Sequence, residues 1–141
     1  MNIDKIYVIS LDGQDPKMQE KTLEGLQDLN FSTQTGYEIH PAWNGVEKGT
    51  PAGYAAYSKW NLGEDTWNDW WKREVIPGEI GCMVSHIKVW ERIVAEGLER
   101  TLILEDDFKG NGQMADLDEP TVDFDIAYLG RWKINKKAEE V

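Results

Sequence analysis

Residues Lys5 to Leu11 read KIYVISL, a short β-branched and apolar run closed by Asp12-Gly13. Such a run describes a strand buried on both faces, as in a parallel sheet. A helix follows. Asp15 is placed to cap it with Pro16 at the first helical position, and Met18, Thr22, Leu26 and Leu29 recur on one face. A shorter candidate strand covers Tyr37 to Pro41. Between Asn44 and Pro77 the glycines, polar residues and aromatics have no long periodicity, with Asp65 to Arg73 able to form a short helix, so this stretch reads as an excursion from the core. From Pro77 the pattern turns helical: Met83, Ile87, Trp90 and Val94 form an apolar face that ends near Gly97, which places Trp90 in the core. Thr101 to Leu104 (TLIL) is a second buried strand running into Glu105-Asp106-Asp107, and Asp125 to Leu129 (DIAYL), closed by Gly130, reads as a further strand. Strands alternating with helices predict an α/β layer with one largely parallel sheet formed by Lys5 to Leu11, Thr101 to Leu104 and Asp125 to Leu129, the Pro77 to Gly97 helix packed on it.

At 141 residues the chain has the length of one domain. Residues 1–132 are assigned to the domain and Lys133 to Val141, mostly charged, to a tail. Apolar residues make up 40% and charged residues 29%, which excludes a disordered polyelectrolyte. No apolar stretch approaches the roughly 20 residues needed to span a bilayer, and no signal peptide is visible. A single cysteine, Cys82, excludes an intramolecular disulfide and fits a reducing compartment, so a cytoplasmic location is expected. The net charge of -11 argues against nucleic acid or an anionic membrane as the main partner, because phosphate binding needs a positive patch.

In parallel sheets of this class ligands sit beyond the carboxyl ends of the strands. Asp12 and Glu105-Asp106-Asp107 stand at two such ends and are expected around one crevice. Oxygen ligands of this kind suit a hard divalent cation, which would keep positions open for water and phosphate. The charge is also uneven: eight acids against one base lie between Ile103 and Asp125. An acidic surface loop explains that as readily as a cation site does. Cys82 and His86, four apart on a helix, could share a metal, but zinc needs three or four protein ligands and the only other histidine is His40, so that reading is set aside. Pro77-Gly78-Glu79 opens a helix whose free N–H groups can receive an anion, with Glu79 as a first-turn partner of the dipole. Of the seven tryptophans, Trp60, Trp67, Trp70 and Trp71 are the candidates for stacking on sugar rings.

Together KIYVISLD, PGEIGCMVSHIKVWERIV, TLILEDD and DFDIAYLGRW, in that order between Lys5 and Trp132, resemble glycosyltransferase family 25, which includes bacterial lipooligosaccharide and collagen galactosyltransferases. The resemblance implies a GT-A-like nucleotide-sugar-binding fold, a UDP-sugar donor, a glycan acceptor, and Mn2+ or Mg2+ held by the acidic motif. It implies Glu105, Asp106 and Asp107 at the metal and diphosphate, with Glu79, Ser85 and His86 near the site; Ser85 and His86, together with Asp12 from its place at the end of the first strand, are the candidate substrate contacts. Glu79 and Asp125 are the candidates for a base that deprotonates the acceptor hydroxyl. Two departures stand out. The arginine-rich segment that many members carry after the first strand is replaced by LDGQDPK, in which Lys17 is the substitute cation. Relatives also continue past the position of Trp132, which leaves a fragment, a minimal variant or one part of a split protein as readings. Ile126, Tyr128, Leu129 and Trp132 would then be left open and promote dimerisation. The alternative function is a catalytically reduced nucleotide-sugar- or glycan-binding module.

Overall fold

A computed structural model describes residues 3–29, 35–57, 75–109 and 125–127. Three strands, β1 (Lys5–Ser10), β2 (Gly36–Pro41) and β3 (Thr101–Glu105), form one parallel sheet in the order β2-β1-β3. The pairing sets Ile6 opposite Tyr37 on one edge and opposite Leu102 on the other. Parallel neighbours require crossover connections. Helix α1 (Pro16–Asp28) lies between β1 and β2 in the chain, and helix α3 (Pro77–Glu96) between β2 and β3, with a single-turn helix α2 (Gly45–Lys48) and a 3-10 segment (Ala52–Tyr57) preceding it.

The alternation of side chains along β1 divides the core in two. Ile6 and Val8 point to one face and pack with Leu26 and Leu29 of α1 and with Leu102. Tyr7 and Ile9 point to the other and pack with Val89 of α3. All four strand residues are buried, which is why the run shows no polar alternation. α1 forms as its spacing predicts: Asp15 accepts a hydrogen bond from the Lys17 backbone at 2.9 Å, Pro16 opens the helix, and Thr22 and Leu26 are buried. Gly97 closes α3 in the left-handed conformation, with φ at 67°.

Three expectations need correction. The third strand is Gly36–Pro41, whereas Asp125, Ile126 and Ala127 lie in no strand and are all exposed; the rest of that run lies outside the described residues. The apolar stripe of α3 is rotated: Val84, Ser85 and Val89 are buried, while Trp90 is 43% and Val94 81% exposed. Small residues decide this, because Gly81 and Ser85 let the helix approach its neighbours closely where a larger side chain would hold it off. Finally, the stretch after Asn44 begins with regular structure, as Asn44 caps α2 by accepting from the Val46 and Glu47 backbones. The candidate helix at 65–73 lies outside the described residues.

An ion-pair network fastens α3 across the sheet. Arg92 pairs with Glu38 of β2 through both terminal guanidinium nitrogens and with Glu96 at 2.7 Å. Lys5 reaches Glu38 at 3.0 Å and Glu96 at 2.9 Å, and the hydroxyl of fully buried Tyr7 donates to Glu96 at 2.8 Å. The Arg92 guanidinium, with smaller help from Lys5, pushes the Glu38 carboxyl down to about 2 from its ordinary 4.5. Because the folded value lies below the ordinary one, the network's contribution is complete above about pH 4.5 and is lost as pH falls toward 2. The urea midpoint should therefore decline through that window. Glu38→Gln should lower the midpoint at pH 7 and flatten the acid decline; an unchanged acid limb would assign the pH dependence to other carboxylates.

Candidate functional site

In a sheet of order 2-1-3 the chain leaves β1 toward one edge and β3 lies on the other, so a crevice opens beyond the carboxyl ends of β1 and β3. A cavity of about 240 Å3 occupies that place. Ile9, Ser10 and Leu11 at the end of β1, Glu105 and Asp106 at the end of β3, Ala42 to Val46 after β2, and Gly78, Gly81, Cys82, Ser85 and His86 of α3 line it.

The helix wall is built by close backbone contact. A methyl group on Gly81 would lie 2.6 Å from the Trp43 carbonyl oxygen, and one on Gly45 only 2.0 Å from the Pro77 carbonyl oxygen. Ser85, buried one turn after Gly81, donates to the Gly81 carbonyl at 2.6 Å and accepts from the Trp43 backbone N–H at 2.8 Å. Trp43 is anchored in turn, its indole N–H donating to the Gly49 carbonyl at 2.8 Å, with Lys48 and Lys88 over its ring. Ser85 thus joins the segment after β2 to α3 as well as lining the cavity. Glu79 accepts a hydrogen bond from the Ile76 backbone at 3.0 Å and so ties up one free N–H at the helix start.

On the cavity side of α3, Cys82 and His86 converge on Glu105. The His86 Nε2 lies 3.0 Å and the Cys82 Sγ 3.5 Å from the same Oε1 of Glu105. The three ligand atoms all lie within 4.8 Å of one another, a group able to hold a metal ion. Cys82 first and Glu105 second push the His86 imidazole up to about 9 from its ordinary 6.5, against the opposing effect of burial. His86 in turn holds the Glu105 carboxyl below its ordinary range. The tilted ring of Trp90 stands 6.3 Å from His86.

Asp106 follows in the turn, its backbone N–H donating to the Ile9 carbonyl at 3.1 Å and its carbonyl accepting from Lys21 Nζ at 3.0 Å. Asp107 is exposed beside it. Among the described residues no cation pairs with either carboxylate. Asp12 is exposed just beyond β1, its backbone N–H donating to Ser10 Oγ at 3.2 Å. Lys17 and Asp125 are exposed and do not line the cavity. The structure therefore gathers Ser85, His86, Glu105 and Asp106 around one space, with Asp12, Glu79 and Asp107 adjacent in the chain to residues that line it. The tryptophans at 60, 67, 70 and 71 lie outside the described residues. What spacing alone missed is the third partner of Cys82 and His86, which comes from a strand end rather than from another histidine. His40 sits elsewhere, buried edge-on to Tyr7 with ring centroids 6.2 Å apart.

A sequence profile described as "Glycosyltransferase family 25 (LPS biosynthesis protein)" matches residues 3–140. The inactive glycosyltransferase 25 family member 3 of Homo sapiens is 31% identical over 99% of this chain and 24% of its own length. Procollagen galactosyltransferase 2 of Mus musculus is 36% identical over 48% of this chain and 12% of its own length. A glycosyltransferase 25 family member of Drosophila pseudoobscura is 27% identical over 99% of this chain and 22% of its own. This chain thus spans about a quarter of the length of the relatives it matches end to end. No solved structure matches it.

Gly81→Ala should destabilise the fold by about 1–3 kcal/mol, because the added methyl meets a backbone oxygen at 2.6 Å rather than a side chain that can yield. Chemical denaturation checks this, and a change under about 0.5 kcal/mol would show that α3 can shift away from Trp43 freely.

Proposed function

The chain belongs to glycosyltransferase family 25, and from that membership we propose that its crevice binds a UDP-sugar and transfers the hexose, galactose by analogy with the procollagen relative, to a hydroxyl of a glycan or lipooligosaccharide acceptor. The observation that carries this reading is the cavity at the β1/β3 switch point, bounded by carboxylates on one side and by the first turns of α3 on the other. A nucleoside diphosphate needs both: N–H groups at a helix start for its oxygens, and a divalent cation to offset its charge.

The donor set fits such an ion. Glu105, Asp106 and Asp107 offer only oxygen, and Asp106 and Asp107 are not neutralised by a neighbouring cation among the described residues. Mn2+ or Mg2+ bound there, typically by one or two carboxylates with water and phosphate completing the shell, would take up the charge of the departing diphosphate. The protein's own part is positional. The contact of Gly81 with Trp43 and the Ser85 hydrogen bonds fix the helix start against the strand ends, so the phosphate-facing groups need no rearrangement. Transfer also needs a carboxylate to accept the acceptor's proton. Of the two candidates, Glu79 is the chain neighbour of the cavity-lining Gly78, although neither it nor Asp125 lines the cavity itself.

The second reading is a nucleotide-sugar-binding module without turnover, favoured by the 31% identical human relative, which is named an inactive family member. UDP-galactose with Mn2+ should raise the melting temperature, equivalent to about 2.7 kcal/mol when the ligand stands at a hundredfold its Kd. Release or transfer of galactose supports the transferase; binding without either supports the module; no stabilisation removes both. Asp107→Asn should weaken Mn2+-dependent donor binding at least about tenfold, while stability changes by less than about 0.5 kcal/mol, since it removes one charge from a self-repelling cluster. Undiminished binding in that variant would reduce the motif to an acidic turn.

A further inference from the structure

We propose that Cys82, His86 and Glu105 form a second kind of metal site, one for a thiophilic divalent cation with Zn2+ as the reference case. The donor set is one sulfur, one imidazole nitrogen and one carboxylate oxygen, brought within 4.8 Å of one another. Thiolate and imidazole ligands select zinc-like ions, whereas Mg2+ and Mn2+ favour oxygen sets. Two of the three donor separations lie close to those of a tetrahedral site. With zinc–sulfur bonds near 2.3 Å and zinc–nitrogen and zinc–oxygen bonds near 2.0 Å, tetrahedral angles separate sulfur from oxygen by about 3.5 Å and nitrogen from oxygen by about 3.3 Å. The observed separations are 3.5 Å and 3.0 Å.

The ligands also sit on rigid elements. Cys82 and His86 are one turn apart on the same side of a 20-residue helix, and Glu105 ends a strand paired along its length with β1. No segment has to fold around the ion. All three residues line the cavity, so three protein ligands leave the fourth position to water or to a ligand in that space. Cys82 is exposed and the His86 side chain is 27% accessible, so an ion can enter from solvent. Binding displaces the thiol and imidazolium protons to the buffer.

The site does not rest on the transferase reading, because Asp107, which that reading needs, is not in the group. The two share Glu105, so a thiophilic ion withdraws one carboxylate from the oxygen set.

Titration of the full chain with Co2+ as a spectroscopic probe tests the proposal. The expected result is a thiolate-to-cobalt charge-transfer absorption with tetrahedral visible bands, saturating at one equivalent and erased by Zn2+. Cys82→Ser should abolish the charge-transfer band, and His86→Gln and Glu105→Gln should each weaken Co2+ binding by about tenfold or more. Asp107→Asn should leave the spectrum unchanged, and circular dichroism should report each variant folded. Absence of the band at millimolar Co2+, its survival in Cys82→Ser, or its loss in Asp107→Asn would overturn the proposal. Donor binding with Mn2+ in Cys82→Ser is a separate measurement, so failure of this site leaves the UDP-sugar reading standing and the reverse also holds.

Discussion

Because β1 is hydrogen-bonded in parallel on both edges and covered on both faces, the rest of the fold takes its position from that strand. Ile6 and Val8 fix α1 on one face; Tyr7 and Ile9 fix α3 on the other. Each such side chain contributes about 1.5–3 kcal/mol on burial, so the four together rival the whole net stability of an ordinary domain before chain entropy is set against them. The functional geometry follows from the same constraint. One helix covers each face of the sheet, and the crevice lies beyond the carboxyl ends of β1 and β3.

α3 runs antiparallel to the strands, and its two ends do opposite electrostatic work. Its last turns join the network of Lys5, Glu38, Arg92 and Glu96, where every charge is matched and the helix is held in register with β1 and β2. Its first turns face Glu105 and Asp106, where N–H groups and the positive end of the dipole meet a set of carboxylates. The matched network secures that placement from the far end of the helix.

What could be read from the sequence was whatever depends on local pattern. The two runs KIYVISL and TLIL, the cap at Asp15, the Pro16 start and the Gly97 stop are all local, and they are observed, although β1 ends at Ser10 and β3 extends through Glu105. The resemblance of the four motifs to family 25 also holds. Tertiary facts were illegible for particular reasons. The strand read at Tyr37 to Pro41 forms as β2, but with Gly36, Tyr37 and Pro41 exposed it lacks the apolar density that would have shown it pairing beside β1, at the edge of the sheet among the described residues. The face of α3 was misassigned because hydrophobicity pointed to Trp90 and Val94, whereas close packing selects small Gly81 and Ser85. Arg92 and Glu38 are 54 residues apart, and no periodicity joins them.

The segment GEIGCMVSH shows how closely these levels are joined. Glu79 caps the helix; Gly81 permits backbone contact with Trp43; Ser85 closes the same contact by hydrogen bonds; Cys82 and His86 occupy the remaining face and reach Glu105. Helical spacing alternates the two tasks, since Gly81 and Ser85 lie four apart on the packing side and Cys82 and His86 four apart on the cavity side. Rotating the helix to bury Cys82 and His86 would drive their side chains into the space that only Gly81 now allows. The inward packing of one pair therefore fixes the outward aim of the other. That coupling explains why a sulfur, an imidazole and a carboxylate from two elements can meet within bonding reach of one ion without any loop to adjust them.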